Sequence, residues 1–566
     1  MMSMGKDKLK QIYYHAAKGV ATGAAVFSFV LCIMIITNYF QANTVDPLNS
    51  RALNRLMEKL DENPGDQAVK DEIRALDLLA RKAYFTSQWQ LRTGGFMLLG
   101  GIIVILIALK IMSSMRQVLP KPGKNPAPDR WWKSASQARK WIAVSGVFLL
   151  VFTLVLGLLT HSQLTRDDLF AQSPKAPTAE DFYKNWPNFR GPDGNGTAAT
   201  DNAPVTWDGK SGEGIKWKVE VPMQGFSSPV VWENHIFLTG ADEKKREVYC
   251  FDAGTGELIW QKEVTDIQGG TKEPPQIHDD TGYAASSTAT NGRYVYAIFA
   301  TGDLICFDMK GNRIWAQSMG LPDNHYGHAS SLMVYENLLI IQYDQNENAR
   351  LLALDVTTGD MVWRVQRSKI SWSSPICVNT GSRMELILTN SESIDSYDPK
   401  TGVKLWGENC LGGEMGPSAA FAEGMVFAAN DYAAAVGIRI GQKQGDPAAK
   451  VVWKWDENLP DTASPVATEK YVFLATSTGF IICIDAKTGK MLWEQEFGDG
   501  FYASPILVGD RVYALDLQGV MHIFKTDKAY QSIAEPKLGE PSSCTPAILD
   551  GRMFVRGDKY LYSIGK

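Results

Sequence analysis

DAGTGELIW (252–260), DVTTGDMVW (355–363), DPKTGVKLW (398–406) and DAKTGKMLW (485–493) are four copies of one phrase, and DMKGNRIW (308–315) is a copy one residue shorter. A hydrophobic run precedes each Asp and another ends in the Trp, so each phrase reads as strand, tight turn, strand. The Asp carboxylate accepts from turn amides, and the Gly takes the left-handed conformation that other residues resist. The Trp offers a large flat surface for packing on the next repeat. Trp217, Trp260, Trp315, Trp363, Trp406, Trp453 and Trp493 follow one another at intervals of 40 to 55 residues. A period of that size with four short strands per unit predicts an all-β propeller whose blades are docked by tryptophans.

Upstream of these turns a second phrase recurs: small residues, then Pro or Ser, then an alternating apolar run. Examples are SSPVVWENHIFLTG (227–240), ASSLMVYENLLIIQY (329–343) and ASPILVGDRVYAL (503–515). They read as the first two strands of a blade joined by a hairpin. Blades then begin near Ser227, Ala285, Ala329, Ser373, Gly416, Ala463 and Ala503. The final segment, 544–566, supplies only three strands, and IKWKVEV (215–221) is a strand with no blade before it. Joining the two closes an eight-bladed ring without an open sheet edge. The interruption GQKQGDPAAK (441–450) makes the fifth unit the weakest, and a ring of seven blades is the alternative if that unit is not a full blade.

The first 161 residues differ in composition and predict an α-helical membrane anchor. Segments 20–40, 93–112 and 141–160 are each about 20 residues long and nearly free of charge, long enough to cross a bilayer as helices. The 113–140 segment carries seven Lys or Arg against one acid, whereas 41–92 holds eight basic and eight acidic residues. Positive-inside logic places the N-terminus and 113–140 in the cytoplasm and the propeller outside it, at the inner (cytoplasmic) membrane. Between the first two spans, 46–90 has two runs at helical spacing around NPGD (63–66). It predicts an extracytoplasmic helical hairpin, packed on itself or docking a partner. Residues 162–184 read as a polar linker and 185–566 as the propeller. At its start, WPNFRGPDGNG (186–196) reads as turns with Trp186 and Phe189 as anchors. It follows no strand and lacks a Lys-Ser/Thr end, which argues against a phosphate loop.

A net charge of −5 and the lack of a basic patch with interleaved aromatics argue against nucleic acid. The seven Cys show no C-x-x-C or C-x-x-C-H spacing, so neither zinc nor covalent haem is signalled. Cys250, Cys306 and Cys483 share one strand position and read as core. Cys377, Cys410 and Cys544 remain as candidates for a disulfide.

The segments just before each first strand line one mouth of the central channel and vary while the blades repeat. They gather Phe226, His278, Asp279, Asp280, Tyr283, His325, His328, Trp372, Glu414 and Tyr502 around one opening. Such a funnel suits a flat anionic ligand, a hard cation or a peptide, or else its side chains merely pack the loops.

The Asp-x-x-Thr-Gly-x-x-x-Trp turns resemble the tryptophan-docking repeats of pyrroloquinoline quinone (PQQ) propellers. The phrase WPNFRGPDGNG is similar to the opening of the bacterial PQQ-like, or BamB-like, repeat proteins. The resemblance covers about residues 185–566. It implies one of two activities. One is a non-enzymatic scaffold that binds envelope proteins or peptides. The other is a quinoprotein dehydrogenase that oxidises an alcohol or sugar with PQQ and Ca²⁺ and feeds electrons to membrane quinone. In the second, Trp372 or Tyr502 would stack on the quinone and a carboxylate such as Asp279 would act as base, with Asp280 and Asp323 as alternatives. The sequence departs from the dehydrogenase pattern: it lacks the vicinal Cys-Cys pair, a haem motif and the long insertions that build a quinone pocket. The expectation is therefore a membrane-anchored extracytoplasmic scaffold with no assigned catalytic residue or metal ligand.

Overall fold

The computed structural model describes residues 3–44, 93–94, 97–98, 100–101, 103–112 and 177–565, the last stretch without 272–274, 276, 280 and 442–447. The chain divides into two compact units, Met1–Ala176 and Pro177–Lys566.

In the first unit a long helix, α1, runs Ser3–Thr44. Its stretch Ile12–Met34 is 23 residues long, with a mean hydropathy of 1.8, and is long and apolar enough to cross a membrane. This apolar window starts eight residues before the expected 20–40, because a lone Lys18 does not break it. Of the three expected spans it is the one shown. Within 93–112 the described residues hold only the shorter apolar helix Ile103–Met112. The 141–160 span and the 46–90 hairpin lie outside the described residues, as does most of the linker. The linker's last residues form a short helix, α2 (Ala179–Tyr183), closed by a capping box between Thr178 and Asp181.

The second unit is the expected eight-bladed propeller: eight four-stranded antiparallel sheets in chain order. The last blade takes its three inner strands from Ala547–Leu549, Arg552–Arg556 and Tyr560–Ile564, and its outer strand from Ile215–Glu220. Glu220 pairs with Tyr560 and Ile215 with Ile564, so the ring closes through the two ends of the propeller chain. The fifth blade is complete despite its interruption: Ile440 pairs with Ala449 on either side of it.

The recurring phrase has a concrete basis. In the first blade Asp252 Oδ1 accepts from the amides of Gly254 and Thr255, each at 2.8 Å, and fixes the turn. Gly256 follows with φ +79°, and a Cβ added there would lie 2.8 Å from the ring of Trp217, which belongs to the preceding blade. The indole N–H of Trp217 donates to Ala253 O at 3.1 Å. Trp217 thus docks on the turn of the next blade, with glycine making room for the ring. Trp260 repeats this on Met309 O at 3.0 Å, Trp453 on Ala486 O at 2.8 Å and Trp493 on Asp527 O at 3.0 Å. Trp406 faces the fifth blade, which has no Asp-Gly turn between its last two strands, and its N–H turns back to Glu385 in its own blade, at 2.7 Å. The outer strand of the seventh blade, Ser532–Ala534, carries no tryptophan. Near it Trp207 is buried in one cluster with Leu538 and Met553.

All seven cysteines are free. Cys377 and Cys544 belong to different blades, and Cys410 follows the last strand of the fourth, so no two are brought together to bridge.

Candidate functional site

Each blade begins with a serine or threonine just ahead of its innermost strand: Ser228, Ser287, Ser331, Ser374, Ser418, Ser464, Ser504 and Thr545. The backbone N–H of each donates to the hydroxyl oxygen of the next: Ser228 to Ser287 at 2.9 Å, Ser287 to Ser331 at 3.0 Å, Ser331 to Ser374 at 2.8 Å and Ser374 to Ser418 at 2.8 Å. Ser418 continues to Ser464 at 3.0 Å, Ser464 to Ser504 at 3.0 Å and Ser504 to Thr545 at 2.9 Å, and Thr545 returns to Ser228 at 3.0 Å. Eight buried hydroxyls therefore form a closed girdle around the channel. They satisfy inner-strand amides that have no neighbouring strand to pair with.

One end of the channel is closed. The segment 185–198 passes the innermost strands in blade order. Trp186 exchanges backbone bonds with Val231 at 2.9 and 2.8 Å, Thr290 N–H donates to Pro187 O at 2.9 Å, and Val334 N–H to Asn188 Oδ1 at 3.0 Å. Cys377 N–H donates to Asp193 O at 2.9 Å, Phe421 N–H to Asn195 Oδ1 at 2.7 Å, and Leu507 N–H to Gly196 O at 2.8 Å. Arg190, fully buried, donates to Ala419 O at 3.1 Å and to Pro465 O. Burial pulls its pKa down to about 9, so it is still a cation at neutral pH. The glycine-rich stretch that reads as turns is a plug, whose backbone and polar side chains together bond to seven blades.

Above the plug lies a well of about 410 Å³. Phe189 lies at its base, the girdle forms its wall, and the rim carries Phe226, Tyr326, Trp372, Tyr432 and Tyr502 with the carboxylates of Glu414, Asp431 and Asp461. The rim is braced by contacts between loops. Tyr326 donates to Glu414 Oε2 at 3.2 Å, His325 lies 3.4 Å from Glu414 Oε1, and the Trp372 indole donates to Asn324 at 2.6 Å. The rings of Tyr326 and Trp372 meet edge-on at 5.0 Å, and His278 and His325 pack on Tyr326 at 5.6 and 4.2 Å. Partial desolvation, then the charges of Asp461 and Glu414, hold the Asp431 carboxyl above the usual carboxylate range.

Four of the expected mouth residues line this well: Phe226, Trp372, Glu414 and Tyr502. His278 and His325 stand at its rim through Tyr326. Tyr283 instead packs beside the core of the first two blades, and its hydroxyl donates to Pro275 O at 2.9 Å. His328 is buried, 4% exposed, and stacks on Tyr343 with centroids 4.9 Å apart. Asp279 is exposed and does not line the well, and Asp280 lies outside the described residues. Sequence reading missed Asp431 and Tyr432 because they sit on the hairpin between Met425–Ala429 and Ala435–Ile440, not ahead of a first strand. Tyr326 and Asp461 were in the right segments and could have been picked out there by residue type.

Repeat chemistry, tryptophan docking and ring closure together define a PQQ-like β-propeller. The family described as outer membrane protein assembly factor BamB matches residues 191–328, 244–444 and 390–534, more than half of the sequence, and the chain belongs to it. Among curated relatives, BamB of Yersinia pestis is 22% identical over 286 residues, covering 48% of this chain and 72% of that protein. The quinoprotein alcohol dehydrogenase PedE of Pseudomonas putida is 45% identical over only 58 residues, 10% of this chain and 9% of that enzyme. The crystal structure of BamB from Moraxella catarrhalis covers 62% of this chain and 97% of its own, at 14% identity and a TM-score of 0.45.

The quinone cofactor of the dehydrogenases can be tested against the donor set. PQQ is a flat polycarboxylate anion and needs cationic or N–H partners. Among the described residues three carboxylates and no Lys or Arg line the well, and no three His, Cys, Asp or Glu gather as ligands for a metal ion. These residues do not fit PQQ with Ca²⁺.

Proposed function

We propose that this protein is a membrane-anchored binding module that presents the mouth of a rigid propeller to other envelope proteins or peptides. The observation that carries this reading is the blind well. Its wall is fixed by eight cross-blade hydrogen bonds, its floor is plugged, and its rim exposes aromatic side chains, Tyr432 being 72% accessible. Rigid scaffolds with aromatic-rich loops are the usual geometry of recognition surfaces. The BamB relatives, named as outer-membrane assembly factors, support a partner-binding role over a catalytic one. The apolar Ile12–Met34 helix serves as the tether, with the N-terminus cytoplasmic and the propeller outside by the charge asymmetry of the flanks.

The test is site-specific photocrosslinking of the full chain in native membranes. A photoreactive residue at Tyr432 should capture one or a few envelope proteins, whereas one at Leu258, exposed on the outer strand of the first blade, should not. Equal labelling from both positions would remove the mouth from the reading.

A further inference from the structure

We propose that the well receives a lysine or arginine side chain from an extended peptide segment of the partner, a refinement that rests on the binding-module reading above. Three observations converge on that chemistry.

The first is charge. Glu414 and Asp461 come from the loops entering the fifth and sixth blades, and Asp431 from the hairpin between them, so the carboxylates occupy one crescent of the rim. Among the described residues no Lys or Arg lines the well to offset them. Asp461 Oδ2 accepts from Ser477 at 2.8 Å, while its Oδ1 is buried with no hydrogen-bond partner. An acceptor in that condition adds to the negative charge at the crescent without a donor to offset it. A cation at the crescent relieves the repulsion that Asp431 feels from Asp461 and Glu414.

The second is the aromatic rim. Trp372, Tyr326, Tyr432 and Tyr502 surround the same opening. Their ring faces attract an ammonium or guanidinium, and their apolar surface packs its alkyl stem.

The third lies deeper and separates a peptide from a small amine. All eight girdle hydroxyls are more than nine-tenths buried, and all line the well. Each oxygen already accepts an amide hydrogen. Among the described residues none of the eight donates its own hydrogen to a protein acceptor. The wall therefore offers donors for carbonyl oxygens, which a peptide carries and a simple polyamine lacks. A volume of about 410 Å³ sits within the range of small-ligand pockets and takes one long side chain with its flanking backbone.

The experiment is a fluorescence-anisotropy titration of the purified full chain with a labelled, end-capped peptide carrying one lysine among glycines. Versions with glutamate or norleucine in its place, and unlabelled spermidine as competitor, complete the set. The lysine peptide should bind saturably and weaken with salt. The glutamate and norleucine peptides should bind at least about tenfold more weakly, the size of a desolvated cation contact. Asp431→Asn with Asp461→Asn should abolish this preference. Tyr432→Ala, at an exposed position that folding does not need, should lower affinity several-fold if the double variant proves unstable. Equal binding of all three peptides, or spermidine displacing the peptide at lower concentration than unlabelled peptide does, would overturn the proposal. Crosslinks from Tyr432 with no lysine-peptide binding would sink this inference alone and leave the mouth as a partner site. Peptide binding without crosslinks would remove the binding-module reading and with it the partner as source of the side chain, leaving only the preference of the well for a cation.

Discussion

Thr545, in the last blade, donates its backbone N–H to the hydroxyl of Ser228, in the first, at 3.0 Å, across 317 residues of sequence. It is the bond that turns a row of seven cross-blade links into a ring. It lies at the hub between the last and first blades, while the Ile215–Glu220 strand closes the chain within the last blade, as its outer strand.

Ser228→Ala should destabilise the propeller by about 1–3 kcal/mol, because it leaves the Thr545 amide buried and unsatisfied. Ser418→Ala, in mid-ring, should cost a similar amount by stranding the Ser374 amide. Chemical denaturation read by tryptophan fluorescence measures both. No change in either variant would mean that water replaces the hydroxyl without loss.

The tryptophan interlock makes a contrast between two glycines with nearly the same backbone. Gly256 has φ +79° and sits against Trp217, whereas Gly212 has φ +82° and open space around it. Gly212→Ala should cost only the left-handed strain, about 1 kcal/mol. Gly256→Ala adds a clash with a ring that cannot move out of its seam and should cost about 2–4 kcal/mol in all. Equal midpoints for the two variants would show that the ring is free to shift.

Arg190 ties the plug to the fifth and sixth blades. Arg190→Met removes the donors that Ala419 O and Pro465 O use and should lower stability by about 3 kcal/mol. Arg190→Lys should not restore it, since one ammonium does not span two carbonyls on different blades as the planar fork does. Thermal melts together with limited proteolysis near residue 190 report the loss.

His328 predicts a pH dependence. Burial lowers its pKa to about 4 in the folded protein, against about 6.5 when unfolded. Below pH 6.5 the unfolded chain takes up a proton that the folded one refuses, so stability falls with pH down to about 4 and levels off there. The full difference amounts to about 3 kcal/mol. His328→Asn should lose this part of the slope, seen as a smaller gap between melting temperatures at pH 7 and pH 4.5. An unchanged gap would place the titration elsewhere.

How much of this was open to sequence reading follows from what repeats. The Asp turn, the Gly and the Trp recur in one-dimensional order, and each has a local cost if replaced, so the propeller, its blade count and its circular closure were legible. The girdle was in plain view in ASS, SSP and ASP, yet reads as a set of small residues, because its bonds join neighbours about 40 to 60 residues apart that meet only when the ring forms. His328 misled for the opposite reason: it lies in a mouth segment, but its ring goes inward onto Tyr343. Trp406 shows the same limit on a smaller scale. Its partner Glu385 becomes intelligible only because the fifth blade lacks the usual turn.

The plug has a mechanical meaning. The chain enters the propeller at residues 185–198, and that short stretch is bonded to seven of the eight blades. A pull coming from the N-terminal side therefore arrives at the axle of a wheel and is divided among its spokes. It does not peel one blade from the circumference, so the wheel can be tugged without being unrolled.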